Sequence, residues 1–435
     1  MTKVGVIGTG YVGLTLACLA DYNNEIIFVG RSQDKIVNLK NGILPIFEKG
    51  LDEVVVRNLK RNLIDATTDY RRLDDTEIIF VCVGTPSADD GSIELSQIKS
   101  AAESLGNLLK QSGDYKTIVV KSTVVPGTTK DVVMPILEKY SGKKAGRDFG
   151  LCMNPEFLRE GEGVYDFINP DKVVIGGYDE KSSSILMKLY GFYKKEVPRI
   201  VTNLNTAEMI KYAQNAMLAS RISFINEIAN VCEKFGVDVY EVSHAMGLDS
   251  RIGPKFLNAG AGFGGSCFPK DVKALLATAK SAGIRSILLE AILEVNKTQP
   301  YRMVDLAKET LGRIGGKTIA ILGLAFKADT DDMREASSVP IINALLKEGA
   351  SIKVYDPQAM ENAKKIFGNS ITYCSSKEEC IAQADLSMFI TDWAEFKKFD
   401  LTKIKSPIID GRRVFNPSVV LQHGLVYKGI GWKNN

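Results

Sequence analysis

At 435 residues the chain is longer than one hydrophobic core sustains, so two or three domains are expected. Its 45% apolar and 25% charged composition, with a formal net charge of +3, gives no electrostatic reason to expect nucleic-acid or membrane-surface binding. Seven cysteines without a CxxC pair or Cys/His cluster read as reduced thiols of a cytoplasmic protein, and with only two histidines no metal site is expected.

The first apolar run, Val4 to Ala20, has the length of a secretion signal. Gly5, Gly8, Gly10 and Gly13 interrupt it and only Lys3 precedes it, so it reads as strand, turn and helix instead. The strand, Lys3 to Gly8, runs directly into Gly8-Thr9-Gly10-Tyr11-Val12-Gly13. A GxGxxG turn between a strand and a helix lets a pyrophosphate lie against backbone N–H groups. The second strand, Glu25 to Val29, ends in Gly30-Arg31-Ser32. A dinucleotide enzyme specific for NAD usually places a carboxylate there for the ribose 2′-hydroxyl. An Arg beside a hydroxyl suits a 2′-phosphate, so the cofactor is expected to be NADP or NAD, with NADP favoured.

Glu77 to Val83 and Thr117 to Lys121 read as further buried strands, which sets the rhythm of a parallel α/β sheet. Ser122-Thr123-Val124-Val125-Pro126-Gly127 and Asn154-Pro155-Glu156-Phe157-Leu158-Arg159-Glu160-Gly161 each follow a strand. Loops so placed face the ligand crevice of an open α/β sheet. Helical spacing then takes over at Ala207 to Phe235, Asp271 to Ala282 and Ser286 to Leu311. Lys211 and Asn215, four positions apart, share a helix face, and a cation with an amide makes an oxyanion site; on spacing alone, solvent-facing residues at helical spacing are the preferred account.

The densest stretch is Gly260-Ala261-Gly262-Phe263-Gly264-Gly265-Ser266-Cys267-Phe268-Pro269-Lys270-Asp271. Pro269 suits the first turn of a helix, which puts Cys267 at its N-terminus, where the helix dipole and Lys270 favour thiolate. Cys267 is therefore expected to be a covalent nucleophile, with glycines that let backbone approach a ligand and Asp271 able to handle protons or a water. After Lys317 the alternation resumes, with strands at Thr318 to Leu324, Ser351 to Asp356, Leu386 to Thr391 and Pro407 to Asp410 and a helix at Val339 to Glu348. The expected fold is α/β, with two Rossmann-like parallel-sheet domains, residues 1–205 and 313–435, joined by a helical middle domain, residues 206–312.

In order and separation, GxGxxG at Gly8, VGTP at Val83, STVVPGTT at Ser122, NPEFLREG at Asn154, GFGGSCFPKD at Gly262, GLAFK at Gly323 and DGRR at Asp410 span the chain. Together they resemble the nucleotide-sugar 6-dehydrogenase family, most strongly its UDP-glucose branch. The resemblance implies oxidation of C6 of a UDP-sugar twice, to a uronate, with two hydrides passing to two cofactor molecules and Cys267 carrying a thiohemiacetal and then a thioester. It implies that Lys211 and Asn215 stabilise the oxyanion and that Thr123, Glu156 and Asp271 serve the hydrolytic water, Glu156 as base. It places Gly8, Gly10, Tyr11, Val12, Gly13, Arg31, Lys35, Thr85, Thr123, Glu160, Lys270 and Arg334 along the dinucleotide. It places Glu156, Phe157, Leu158, Phe256, Gly264, Lys327 and Arg412 along the substrate, with Arg251 reaching the substrate of a neighbouring subunit in a homodimer built on the helical domain. Relatives place an Asp at position 30, where this sequence has Gly. GDP-mannose or another nucleotide sugar is the alternative substrate. A two-electron 3-hydroxyacid dehydrogenase, or a dinucleotide-binding scaffold without catalysis, is the alternative of another class.

Overall fold

A computed structural model of the protein describes residues 1–432. The chain divides into two compact units, residues 1–214 and residues 215 onward.

The first unit is built on one sheet of β1 (Lys3–Ile7), β2 (Glu25–Val29), β3 (Ile64–Thr67), β4 (Ile78–Val81), β5 (Thr117–Val120), β6 (Gly150–Met153), β7 (Val173–Gly177) and β8 (Arg199–Thr202). They lie in the order β3-β2-β1-β4-β5-β6-β7-β8. The first six are parallel in the doubly wound order 3-2-1-4-5-6, and β7 reverses direction against β6 before β8 joins it in parallel. Val4 faces Ile26 on one side and Ile78 on the other, so β1 sits centrally and is covered on both faces. Val6, Phe28, Phe80, Val119, Cys152 and Ile175 form part of its core. The topological switch point falls between β1 and β4, where the Gly8 turn and the Val83–Pro86 segment leave adjacent strands.

The second unit holds a six-stranded sheet of β9 (Thr318–Leu322), β10 (Ser351–Tyr355), β11 (Thr372–Tyr373), β12 (Leu386–Phe389), β13 (Ile408–Asp410) and β14 (Tyr427–Gly429). Its order, β11-β10-β9-β12-β13-β14, repeats the same winding, and every pairing is parallel. Alternate residues of β9 feed separate cores. Ile319 and Ile321 join one with Ile225, Ala229, Met303 and Ala307 from the helical region, and Ala320 and Leu322 join another with Phe389, Phe396 and Ile408.

Between β8 and β9 the chain is helical: Leu204–Phe235, Val239–Leu248, Phe268–Ser281 and Ile287–Leu311. The structure is thus two parallel-sheet α/β parts with a helical middle region. The first long helix starts before the expected Ala207 because the Asn203 carboxamide oxygen accepts the Thr206 N–H, at 2.9 Å, and closes the first turn. The third starts at Phe268, before the expected Asp271, with Pro269 in its first turn.

Candidate active site

The Gly8 turn separates into glycines required by the fold and one that is not. A Cβ on Gly8, which has φ +113°, would strike the Cys82 carbonyl, and one on Gly13 would strike the Gly8 carbonyl. Gly10 has nothing within 4 Å of its Cβ position, so the space over the turn is open for a diphosphate to approach the backbone. Tyr11 begins the short helix Tyr11–Thr15, and its hydroxyl donates to the Arg159 carbonyl at 2.5 Å. Val12 packs against the core. At the end of β2, Arg31 is exposed and donates to the Gln97 carboxamide at 3.1 Å. Ser32 caps the helix Gln33–Lys40 through the Lys35 N–H. Gly30 is close-packed, with its Cβ position 3.2 Å from Thr9 Cγ2.

Beyond β4 and β5 two loops are tied together. Thr85 Oγ1 donates to the Thr123 carbonyl at 2.9 Å, and Ser122 Oγ donates to the Val83 carbonyl at 2.7 Å. After β6 the chain delivers Glu156 to a buried ion pair with Lys211, at 2.9 Å. Glu156 also accepts the Leu158 N–H at 2.6 Å. Burial pushes the Glu156 carboxyl upward, but Lys211, the Leu158 N–H and Lys121 outweigh it and hold the group below the usual carboxylate range. Phe157 is stacked beneath two cations, with Lys172 Nζ 4.1 Å and Lys211 Nζ 5.6 Å from its ring centre. Leu158 packs on the core, and Glu160 is half-buried on the same loop.

In the second unit, Cys267 is the one exposed cysteine of the seven and stands at the N-terminus of helix Phe268–Ser281. Its Sγ is 3.5 Å from Ser266 Oγ. Asp271, one turn on, is buried and takes the Asn215 carboxamide N–H at 2.6 Å on one oxygen and the Lys270 ammonium on the other. Lys270, expected to act on the thiol, is thus engaged by Asp271.

The glycines before the thiol are also constrained by packing. A Cβ on Gly264 would collide with the Glu335 carbonyl, and one on Gly265 would come within 2.8 Å of the Phe326 ring. The Gly265 N–H donates to the Arg334 carbonyl at 2.9 Å. Close packing against the segment after β9 excludes side chains there. Lys327 is half-buried beside Phe326, and the Arg334 guanidinium grips Asp332 at 2.7 Å. Arg412 reaches back to donate to the Gly262 carbonyl at 2.7 Å, and burial pulls its pKa down. Phe256 adopts φ +63° and meets the Phe268 ring edge-on. Arg251 is exposed and pairs with Asp249 at 2.5 Å.

Sequence reasoning missed two buried groups of the first unit. Lys121 donates to Asn154 Oδ1 at 2.9 Å, and burial lowers its pKa to about 8. Glu208 precedes Lys211 by a turn. A lysine closing the apolar strand Val119-Val120-Lys121 is itself a signal, because an isolated Lys is seldom buried without a partner.

An open switch point beneath a dinucleotide-type turn, and a solvent-facing thiol at a helix start, are the equipment of a dinucleotide-dependent oxidoreductase. Comparison with known proteins makes this specific: the chain belongs to the UDP-glucose/GDP-mannose dehydrogenase family. Residues 2–194 match the family's NAD binding domain, 205–298 its central domain and 320–417 its UDP binding domain. UDP-glucose 6-dehydrogenase AglM of Haloferax volcanii is 44% identical over 98% of this chain and all of its own length. TuaD of Bacillus subtilis, also a UDP-glucose 6-dehydrogenase, is 43% identical over 99% of this chain and 93% of its own. The structure of a UDP-glucose dehydrogenase from Pyrobaculum islandicum superposes with a TM-score of 0.94 at 36% identity, covering 100% of this chain and 98% of that one. Among the described residues, no helix is long and apolar enough to cross a membrane.

Proposed function

We propose that the protein is a cytoplasmic enzyme that oxidises C6 of UDP-glucose twice, to UDP-glucuronate, through a thioester on Cys267. The observation that carries this reading is the exposed thiol at a helix N-terminus one turn from a buried Asp271 held by Asn215 and Lys270. A dinucleotide held over the Gly8 turn would supply the hydride acceptor for each of the two oxidations of C6, the proton of the oxidised hydroxyl passing to solvent. Once C6 is an aldehyde, Cys267 sulfur bonds to its carbon and the former carbonyl oxygen takes a proton, giving a thiohemiacetal. The second oxidation leaves a thioester, and water cleaves it to carboxylate and thiol. Lys211 and Asn215 supply N–H donors to the oxyanion formed at each addition. Glu156, kept ionised by Lys211, receives the proton of the attacking water, which Thr123 and Asp271 orient. Phe157, Leu158, Phe256, Gly264, Lys327 and Arg412 line the UDP-sugar. Tyr11, Val12, Lys35, Thr85, Glu160, Lys270 and Arg334 line the dinucleotide. Residues 1–205, 206–312 and 313–435 carry cofactor binding, dimerisation and UDP binding respectively.

The preferred dinucleotide is NADP. Arg31 is exposed at the end of β2, and no carboxylate stands at position 30 to claim a 2′-hydroxyl. Higher kcat/KM with NADP than with NAD, reversed in Arg31→Ala, is the expected result; a clear NAD preference in the wild type would remove this assignment. The partner is a second copy of the chain, and Arg251 reaches that copy's substrate. Met217, Phe224 and Val231 recur every seventh residue on helix Leu204–Phe235 and are all exposed, which supports a helix-to-helix dimer seam. Turnover against a panel of UDP-glucose, UDP-galactose, N-acetylated UDP-hexoses and GDP-mannose tests the substrate. UDP-glucose is expected to give the highest kcat/KM, and preference for any other member would replace it.

A further inference from the structure

The chemistry above leaves one wholly buried carboxylate of the first unit without a task. Glu208 lies one turn before Lys211 on helix Leu204–Phe235 and is 0% exposed. Its Oε2 accepts the Gly127 N–H at 2.7 Å and its Oε1 accepts the Thr129 N–H at 2.8 Å. These two donors stand where the loop Ser122–Gly127, which carries Thr123, passes into the π-helical segment Thr128–Val133. Gly127 makes that passage with φ +97°, a conformation that favours glycine. The far end of the loop is already fixed by Ser122 on the Val83 carbonyl and by Thr85 on the Thr123 carbonyl. Glu208 thus ties the loop to the helix of Lys211, and its carboxyl forms no salt bridge among the described residues. Burying such a group is costly unless donors compensate. Here two backbone donors do so.

We propose that Glu208 is a positioning residue, a carboxylate clamp that ties the Thr123 loop to the Lys211 helix and so sets where Thr123 stands relative to the Lys211–Glu156 pair. The assignment rests on the catalytic reading of Thr123, Lys211 and Glu156. The ionised form is the one that accepts both N–H groups. Burial raises the Glu208 carboxyl to about 7, the donors of Thr129 and Gly127 pull against that rise, and Asp131 adds to it. Asp131 is the charged group facing it from the following segment, and Lys211 along its own helix is engaged by Glu156. Because the Thr129 and Gly127 donors favour the ionised form, protonating Glu208 in its buried place weakens their hold, and the clamp loosens as pH falls through neutrality even though the buried carboxyl itself is relieved.

Glu208→Gln keeps the size but offers one acceptor oxygen where two donors need one each. In the full chain, amide exchange at Gly127 and Thr129 is expected to quicken about tenfold or more, with protection in the second unit unchanged. The kcat for nucleotide-sugar oxidation is expected to fall about 10- to 100-fold with KM for the sugar nucleotide within about threefold. The acid limb of the wild-type kcat profile, with its midpoint near 7, should be absent from the variant. Unchanged exchange would overturn the clamp whatever the turnover. Faster exchange with wild-type kcat and a retained acid limb would overturn the positioning role. If the variant does not fold, exchange in the wild type about one pH unit either side of 7 replaces it: protection of the two amides, corrected for intrinsic rates, must drop on the acid side. Constant protection would overturn the clamp. A wild type that oxidises no nucleotide sugar removes the catalytic reading and the positioning role with it, while exchange still reports whether the clamp exists.

Discussion

Cys267 differs from the six other cysteines in one respect that matters for chemistry: they are buried, and burial pushes Cys18, Cys82 and Cys152 up to about 12, so as thiols they stay protonated. Cys267 faces solvent at a helix start. Cys267→Ser is expected to retain the first oxidation and lose the second or the release of uronate, leaving aldehyde or a stalled ester detectable by mass spectrometry; uronate at the wild-type rate would show that sulfur is not needed. The glycines separate in the same way. Gly264→Ala drives a methyl into the Glu335 carbonyl and should lower stability by about 1–3 kcal/mol in urea titration. Gly10→Ala meets no atom within 4 Å, and Gly10 has φ −90°, so stability should hold within about 0.5 kcal/mol while dinucleotide affinity falls. Equal stability losses in the two variants would contradict this division. What the sequence makes legible here is the position of Cys267, because Pro269 and the glycines are local signals. The use of those glycines is not legible, since Glu335 and Phe326 that fill their space lie far along the chain.

At the scale of elements, two buried glutamates of the first unit respond to pH with opposite sign. Glu156 is held below its ordinary range, so its pairing contributes stability above the unfolded carboxyl pKa, and that contribution is lost as pH falls through the lower folded value. Removing its partner in Lys211→Met leaves a buried charge and should cost about 3–5 kcal/mol at neutral pH. A loss below about 1 kcal/mol would mean that the pair is not closed in solution. Glu208 is raised to about 7, so the folded state binds the proton more tightly and stability declines as pH rises from the ordinary carboxyl range to that value. Glu208→Gln should flatten this decline. Neither pairing could be read from spacing, because Glu156 meets Lys211 and Glu208 meets Gly127 only through the packing of a helix on strand-end loops. The central strands β1, β2, β4 and β5 were legible as unbroken apolar runs. β3, reading Ile-Asp-Ala-Thr, and the largely exposed edge strand β8 were not, since edge positions keep polar residues that blur the pattern.

At the scale of the whole molecule, both sheets wind in the order 3-2-1-4-5-6, one preceding and one following the helical region. Family membership assigns the first to NAD binding and the second to UDP binding. Phe224→Asp on the exposed stripe should convert a dimer to monomer by light scattering, and an unchanged mass would move the interface elsewhere. In the proposed reaction one site oxidises one carbon twice, with Cys267 holding it between the two events. Its most direct test is the amount of reduced nicotinamide formed for each molecule of UDP-glucose consumed by the wild-type protein. Two are expected, with uronate as the sole sugar product. One reduced nicotinamide, with aldehyde or ketone released, would contradict it.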